Sequence, residues 1–378
     1  MRVRGQELGR RDLAARMGDP AAAGGVRLVT LGDGVERGIR ALEFRTGSGL
    51  AFDVLVDRCM DIGAADHGGR AFGWRSRTGF RNPGLHEHAD EDGLSWLRSF
   101  SGLTVTGGLD HTLFGGEVDA ASYRYPPRPA VRHGLHGRVA NIPARLTGYG
   151  ERWDGDDCVL WAEGEVRQAA VFAENLRLTR RIEADLGGDE IRLTDTVHNP
   201  GFDTVPHMFL YHINLGWPLL DDGSRFLAPV RETVWRTDSV AEQGVDSWTM
   251  PSPLPGFVEQ VYEHELAADV DGLTGAALVN DRLGLAVSVE WRAAGFPCFF
   301  QWLNLRAGDY AVGLEPSTHH VAGDAAARDD GSMIWLGPGE SRSYHTVFRV
   351  HQGADAITAL ETRLSRDGRV AGLDTRLT

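Results

Sequence analysis

Cysteine is scarce in this chain: three residues, Cys59, Cys158 and Cys298, occur among 378. They are widely separated and form no CxxC pair, so the sequence indicates neither a disulfide framework nor a thiolate zinc site. The chain also lacks an apolar run long enough to span a bilayer. Its first residues, "MRVRGQELGRRDLAARMGD", do not contain the apolar core of a signal peptide. We therefore expect a cytoplasmic protein without membrane contact.

The chain has fewer positively charged residues than negatively charged ones. The sequence has 39 Lys and Arg residues against 53 Asp and Glu residues, a formal net charge of −14. This balance opposes binding to a nucleic-acid backbone or to an anionic membrane surface, so neither partner is expected. The hydrophobic share of 42% and the charged share of 24% are ordinary for a soluble globular protein. No internal repeat or low-complexity linker divides the chain.

Alternation of apolar and polar residues is the main structural signal. In "NLRLTRRIEADL" one parity carries Leu176, Leu178, Ile182 and Ala184, and "EIRLTDTVHN" and "GLAVSVEW" alternate in the same way. Period-two alternation between turn residues is typical of half-buried antiparallel strands. The sequence therefore predicts an all-β fold, a large antiparallel β-sandwich that forms a single domain over residues 1–378.

Helical spacing occurs at the two ends of the chain. "GQELGRRDLAARMGD" places Leu8, Leu13 and Met17 near helical spacing and predicts a helical extension within about 1–24. "ADAITALETRLSRDG" predicts a C-terminal helix over about 354–366. We interpret both as packing elements.

Ionisable side chains are concentrated in segments rich in glycine and proline. These segments are "VDRCMDIG" with Asp57, Arg58 and Asp61, "GGLDHTLFGGE" with Asp110 and His111, "RHGLHGRVANIPA" with His133 and His136, "PHMFLYHINLGW" with His207 and His212, and "YAVGLEPSTHH" with Glu315. Polar residues at strand ends are well placed to line a cleft. His207 and His212 differ by five positions, so a regular strand would present them on opposite faces. We expect His207 to satisfy a structural hydrogen bond.

The order of "HGLHGR", "HNPGFDTVPHMFLYHINLGWPLLDDGS" and "GDYAVGLEPST" is similar to that of the galactose mutarotase-like superfamily, the aldose 1-epimerases. The "DRxMDIG" and "GLxH/N" segments near the front look most like an epimerase-related, DUF4432-like branch. The resemblance covers nearly the whole chain, from "FDVLVDRCMDIG" to "SYHTVFRV". It implies a large antiparallel β-sandwich and an isomerase with a small-molecule carbohydrate substrate. It implies no metal or organic cofactor.

The resemblance also implies roles for three residues. His136, in an HG turn, would hold and polarise the substrate. His212, in "YHINLGW", would be the general acid that protonates the ring oxygen. Glu315, in an LEP context, would be the general base that takes the proton from the C1 hydroxyl. Rotation about the C1–C2 bond and reclosure would then invert the anomer.

The segments that would recognise the substrate depart from the family pattern. The "HPYFNL" of hexose mutarotases is here "HINLGW", and the "GRxANR" segment has its nearest counterpart in "LRSFSGLTVTGGLDH". The predicted substrate-binding residues are Arg58, Arg98, Asp110, His111, His133, Arg138, Trp217 and Trp302, together with Trp74, since aromatic rings can stack on the apolar face of a sugar. For Arg58, a buried ion pair with Asp57 and Asp61 is the open alternative.

Two other classes of function stay open. His111, His133, His136, His212 and Glu315 could converge on zinc or manganese, which would indicate a metal-dependent isomerase, epimerase or lyase for an unusual sugar derivative. The fold also serves as a passive carbohydrate-binding domain in other proteins. Retention of both His212 and Glu315 argues against the passive alternative.

Overall fold

The protein was studied as a computed structural model, which describes residues 1–3, 5–88, 91–120 and 129–364. Strands dominate, and we number them in chain order. The first half of the chain contains β1 (Arg2–Val3), β2 (Gln6–Glu7), β3 (Gly25–Thr30), β4 (Arg40–Arg45), β5 (Leu50–Leu55), β6 (Asp61–His67), β7 (Arg70–Ala71), β8 (Thr104–Leu109), β9 (Gly116–Asp119), β10 (Ala130–His133), β11 (Arg145–Asp154), β12 (Asp157–Ala169), β13 (Asn175–Asp185) and β14 (Glu190–His198).

The second half is equally rich in strands. It contains β15 (Val205–Gly216), β16 (Arg225–Leu227), β17 (Val230–Arg236), β18 (Gln260–Leu266), β19 (Leu273–Asn280), β20 (Leu285–Arg292), β21 (Cys298–Asn304), β22 (Ala311–Ser317), β23 (Ile334–Leu336) and β24 (Ser341–Gln352). The α-helices are α1 (Arg10–Arg16), α2 (Ser239–Gln243), α3 (Gly323–Asp329) and α4 (Ala354–Leu364). Within the described residues, no helix is long and apolar enough to cross a membrane.

Three large antiparallel sheets build the fold, and two further sheets of two strands pair β1 with β2 and β9 with β10. The largest has eight strands in the order β11-β12-β13-β14-β24-β20-β19-β16. The second has seven strands, in the order β17-β18-β21-β22-β15-β23 with β8 also paired to β15, and the third has five, β3 to β7 in sequence. Apolar residues from the inner faces of all three sheets form one continuous core. The predicted all-β sandwich is therefore confirmed.

The period-two segments form strands as predicted. They become β13, β14 and β20, and the apolar parity of β13 is buried while its neighbours are partly exposed. At the N-terminus, the helix is shorter than the predicted extension over 1–24: α1 spans Arg10–Arg16, between Gly9 and a turn that begins at Pro20. At the C-terminus, α4 matches the prediction up to Leu364, and the last two predicted residues lie outside the described part of the chain.

Strand β15 pairs with β22, β23 and β8, and it is buried along its whole length. One face joins the main core through Phe209 and Tyr211, whereas the other face carries Leu210 and His212. His207 lies on the core face, where its Nδ1–H donates to the carbonyl of Leu109 at 2.9 Å and its Nε2 accepts from a tyrosine hydroxyl at 2.6 Å. The predicted separation of the two histidines is thus observed.

A buried ionic network joins the three sheets. Arg180 of β13 donates to Asp195 of β14 at 2.7 Å and to Asp61 of β6 at 2.6 Å. Asp61 also accepts from the backbone N–H of Thr106 in β8 at 2.9 Å, and Asp195 accepts from the Tyr211 hydroxyl of β15 at 2.6 Å. The guanidinium of Arg180 is therefore the cationic partner of both buried carboxylates.

Replacing Arg180 by methionine removes that guanidinium and leaves two buried carboxylates unpaired. We expect the free energy of unfolding, measured by urea denaturation at pH 7, to fall by about 3–5 kcal/mol. The deficit should shrink as the pH falls, because burial raises the pKa of Asp61 and its protonation removes an unpaired charge. In the control Arg27→Met, which breaks the pair between an exposed arginine and Glu43, the loss should be about 1 kcal/mol or less. Equal losses in the two variants would contradict the structural role of the network.

Candidate active site

The pairing register brings His212 and Glu315 together. Leu210 of β15 pairs with Ser317 of β22, and Ile213 pairs with Leu314, so His212 and Glu315 occupy opposite positions on neighbouring strands. His212 Nε2 lies 3.1 Å from Glu315 Oε1, and both side chains are buried. The two groups are within reach of one another, but they are not aligned as a hydrogen bond.

Gly313 leaves the room in which this pair sits. A Cβ atom at Gly313 would lie 2.6 Å from Glu315 Oε1, 2.9 Å from Trp302 Cβ and 3.2 Å from His212 Cε1. Gly313 is two residues before Glu315 and shares its face of β22, with Trp302 directly opposite on β21. Any side chain at position 313 would collide with Glu315 and Trp302, so glycine is required there.

His136 reaches the pair from a turn between β10 and β11. Its backbone φ of 54° lies in the left-handed region, which is uncommon for a residue with a side chain. Two hydrogen bonds with Leu113 hold it: His136 N donates to Leu113 O at 2.8 Å, and Leu113 N donates to His136 Nδ1 at 3.3 Å. Because Nδ1 accepts, the proton of the neutral ring is on Nε2. The ring centroids of His136 and His212 are 5.6 Å apart.

The pair lies in a cleft of about 280 Å³. One face of the seven-stranded sheet forms its floor, and the turn segment over 94–100 and the loops of Leu113 and His136 form its walls. The lining residues are Leu94, Trp96, Leu97, Phe100, Leu113, Phe114, Leu135, His136, His212, Glu259, Val261, Phe300, Trp302, Glu315 and Val321. Among these described residues, the ionisable ones are histidines and glutamates, and no arginine is present. The cleft is therefore largely apolar and aromatic.

Burial shifts the pKa values of Glu315, His212 and His136. The pKa of Glu315 is raised well above its usual value, mainly by burial and also by the negative charge of Glu259. The pKa of His212 is lowered well below its usual value, by burial and by the neighbouring His136. Burial lowers the pKa of His136 to about 3. Each shift favours the neutral form, as expected for ionisable groups removed from water.

Some of the predicted substrate-binding residues lie elsewhere. Trp302 lines the cleft and donates from Nε1 to Glu259 Oε2 at 3.0 Å. Trp74 packs behind it, with ring centroids 6.1 Å apart, and is not part of the lining. The side chain of Arg98 is 61% exposed and pairs with Glu91, and Trp217 is 69% exposed. The structure does not bring these three to the cleft.

The guanidinium of Arg58 forms hydrogen bonds with backbone carbonyl groups. It donates to the carbonyl oxygens of Ala140, Arg81 and Ser99 at 3.2, 3.1 and 2.6 Å. The alternative role, an ion pair of Arg58 with Asp57 or Asp61, is not observed. Asp57 pairs with Arg40 and Asp61 pairs with Arg180. Arg58 therefore joins three backbone segments through buried hydrogen bonds.

The remaining candidates gather behind the wall of the cleft. Asp110 accepts a hydrogen bond from Gln168 Nε2 at 2.6 Å. The rings of His111 and His133 are stacked, with centroids 4.6 Å apart. Arg138 and His133 line a second, smaller cavity of about 60 Å³. The five residues of the metal hypothesis thus form two groups: His111 with His133, and the three that line the cleft.

Among the residues that shape the site, Trp96, Phe100, Glu259 and Gly313 were not predicted. The rings of Trp96 and Phe100 stack at 4.3 Å, and their centroids lie 5.7 and 4.6 Å from that of His212. Their spacing of four in "SWLRSF" places both on one side of a helical turn, which is a readable signal. Glu259 and Gly313 have no comparable signal, because their importance depends on residues distant in sequence.

Comparisons with known proteins identify the family and the fold of the chain. The family model "Domain of unknown function (DUF4432)" matches residues 36–350. A solved structure from Klebsiella pneumoniae subsp. pneumoniae MGH 78578 is 24% identical, with a TM-score of 0.82, and the match covers 93% of this chain and 91% of that one. That protein carries the name "putative aldose 1-epimerase". No protein with a curated description matches the chain.

More distant structures share the architecture. A galactose mutarotase-like protein from Clostridium acetobutylicum is 13% identical, with a TM-score of 0.59 over 86% of this chain and 98% of that one. At these identities the structural likeness establishes the fold, which is that of the galactose mutarotase-like proteins. Because the family model spans most of its length, the chain belongs to the DUF4432 family.

Proposed function

We propose that the protein is an aldose 1-epimerase-like isomerase, which interconverts the anomers of a monosaccharide or sugar derivative. The observation that carries this proposal is the buried pair of His212 and Glu315, 3.1 Å apart at the bottom of a cleft beside His136. The fold shared with proteins named as aldose 1-epimerases supports the same reaction class.

Anomer exchange requires one proton to leave and one to arrive. Glu315 takes the proton of the C1 hydroxyl while His212 gives a proton to the ring oxygen. The bond between C1 and the ring oxygen breaks, and C1 becomes a carbonyl. After rotation about the C1–C2 bond, the reverse transfers close the ring on the other face. No net charge leaves the pair, because each proton taken up is matched by one released.

A single proton shared by the pair suits this chemistry. The state with a neutral His212 and a protonated Glu315 differs from the state with a protonated His212 and an ionised Glu315 by one internal transfer. The pair therefore titrates as a unit. The neutral arrangement is stabilised by burial, and the ionic arrangement supplies the general base and the general acid.

The cleft supports a neutral sugar as the substrate. Trp96, Phe100 and Trp302 offer apolar faces on which a sugar ring can stack. The cleft volume of about 280 Å³ is near the lower end of small-molecule pockets, about 300–1,000 Å³, which favours one sugar ring over a longer chain. His136 Nε2–H is a fixed donor for a sugar oxygen. No cation lines the described cleft, so a phosphate group would lack a partner there.

Replacing Glu315 by glutamine removes the base while its shape is retained. Saturation-transfer NMR across a panel of free aldoses and ketoses should show accelerated anomer exchange with the unmodified protein. The Glu315→Gln variant should lose about 10²–10⁴-fold in that rate while still binding the sugar. Glu265→Gln, an exposed carboxylate on β18 of the same sheet, is the matched control and should keep full activity. Unchanged exchange in Glu315→Gln would exclude Glu315 as the base, and no acceleration for any sugar would exclude the reaction.

The rate of exchange should follow a bell-shaped pH profile with a broad plateau. Activity needs one proton on the pair. Adding a second is opposed by the lowered pKa of His212, so the acidic limb lies below His212's ordinary value of 6.5. Losing the proton is opposed by the raised pKa of Glu315, so the alkaline limb lies well above 4.5. His136 and Glu259 are the other ionisable groups that line the cleft. A rate that rises steadily with pH and has no alkaline limb would contradict a shared proton.

Adding one methyl group at Gly313 should separate the catalytic pair. The Cβ atom of Gly313→Ala would meet Glu315 Oε1 at 2.6 Å and force the carboxylate to move. We expect kcat to fall by about tenfold or more in protein that is still folded by circular dichroism, because an ångström of misplacement can cost about 10²-fold. Gly32→Ala, where no atom lies within 4 Å of the added carbon, is the control. Equal kcat values in the two variants would refute the spatial requirement.

A further inference from the structure

A second group of buried ionisable residues lies outside the cleft. His111 follows β8, His133 ends β10 and Asp324 belongs to α3. These three residues are 2%, 2% and 3% exposed. Each offers one potential ligand atom, and these atoms all lie within 4.8 Å of one another. The proposed sugar chemistry uses none of them.

Each residue of this group has a buried polar atom without a hydrogen-bond partner. They are Nδ1 of His111, Nδ1 of His133 and Oδ2 of Asp324. His111 Nε2 lies 2.9 Å from the carbonyl oxygen of Phe114, which can only accept, so Nε2 carries the proton and Nδ1 presents a lone pair. Buried polar atoms are normally satisfied, because an unpaired one is costly. A cation held by this group would bind ligand atoms of all three residues, which lie within 4.8 Å of one another.

The donor set fits a divalent transition metal. Two imidazoles and one carboxylate are typical ligands of zinc and related ions, with a water molecule in the remaining position. The outer contacts also follow the pattern of metal sites, in which the second ring nitrogen donates to a carbonyl and the carboxylate is held by a donor. Here His111 donates to Phe114, and Arg328 Nε donates to Asp324 Oδ1.

Another group of potential ligands in the described residues lacks these features of a metal site. Glu263, Cys298 and His320 also offer ligand atoms within 4.8 Å of one another. The carboxylate of Glu263 is already satisfied, because one oxygen contacts His320 Nδ1 and the other accepts from the N–H of Val321. The His320 side chain is 70% exposed, and burial raises the pKa of the Cys298 thiol to about 12. This second group needs no ion.

We propose that the protein binds one divalent transition-metal ion, with zinc as the first candidate, through His111, His133 and Asp324. The ligands belong to the three segments that also supply Leu113, His136 and Val321 to the cleft. The ion would fasten these segments to one another behind the wall, and the sugar chemistry would stay with His212 and Glu315. This inference is independent of the proposed reaction. It also departs from the expectation, based on the resemblance, that no metal is bound.

The test uses the full-length, untagged protein, stripped with a chelator and shown to be folded by circular dichroism. Titration with Zn²⁺ against a competing chelator should reveal one tight site. Asp324→Asn should weaken that site by about 100-fold or more, since even the loss of an outer partner costs about 10–100-fold. Asp329→Asn, an exposed acid on the same helix, is the matched control and should bind Zn²⁺ as the unmodified protein does.

A second measurement does not depend on the folding of any variant. Addition of Zn²⁺ to the unmodified protein should shift the ring nitrogen resonances of His111 and His133 in ¹⁵N NMR and leave those of His198 unchanged. Co²⁺ should give visible absorption bands at one equivalent. The proposal is overturned by the absence of stoichiometric binding, by unaltered affinity in Asp324→Asn, or by ring resonances that do not respond. These readouts measure binding alone, so a failure of the sugar chemistry leaves them intact.

Discussion

One buried guanidinium fixes the relative positions of the three sheets. Arg180 of β13 binds carboxylates from β6 and β14, and those carboxylates in turn hold groups on β8 and β15. Buried ion pairs are seldom a large source of net stability, but breaking one is costly, so such a network favours a single arrangement of its strands. Strand β15 depends most on this arrangement. A slip of one residue would turn His212 into the core and place Tyr211 or Ile213 opposite Glu315 instead.

The same burial that makes β15 part of the core also sets the chemistry of its other face. An imidazole and a carboxyl group removed from water both shift towards their neutral forms. A neutral pair costs less to bury than two permanent charges. In the proposed reaction, charge would develop while a proton moves to or from the ligand, in a cleft whose apolar walls screen it poorly. Apolar walls and a perturbed acid–base pair thus have one physical cause, which is the depth of the site in the sheet.

Local patterns in the sequence predicted much of the fold and less of the site. Parity alone gave the strands β13 and β14 and the opposite orientations of His207 and His212, because side chains alternate along any strand. The partner of Asp61 could not be predicted, since Arg180 is 119 residues away and many arginines, including Arg58, are nearer in sequence. Asp324 gave no signal either, since an acid in a short helix is usually exposed. The resemblance supplied His136, His212 and Glu315, and the structure brings these three together, while their catalytic roles stay predictions.

The segment from His111 to Phe114 connects the two sites by direct contacts. His111 Nε2–H donates to the carbonyl of Phe114, a residue that lines the cleft. Between them, Leu113 makes the two hydrogen bonds that hold His136 in its left-handed conformation. A ligand on Nδ1 of His111 keeps the ring proton on Nε2 and so preserves the bond to Phe114. These bonds form without an ion, and the proposed ion would bind to the same loop that orients His136. The coupling is a short chain of hydrogen bonds within one loop, so it needs no rearrangement of the sheets.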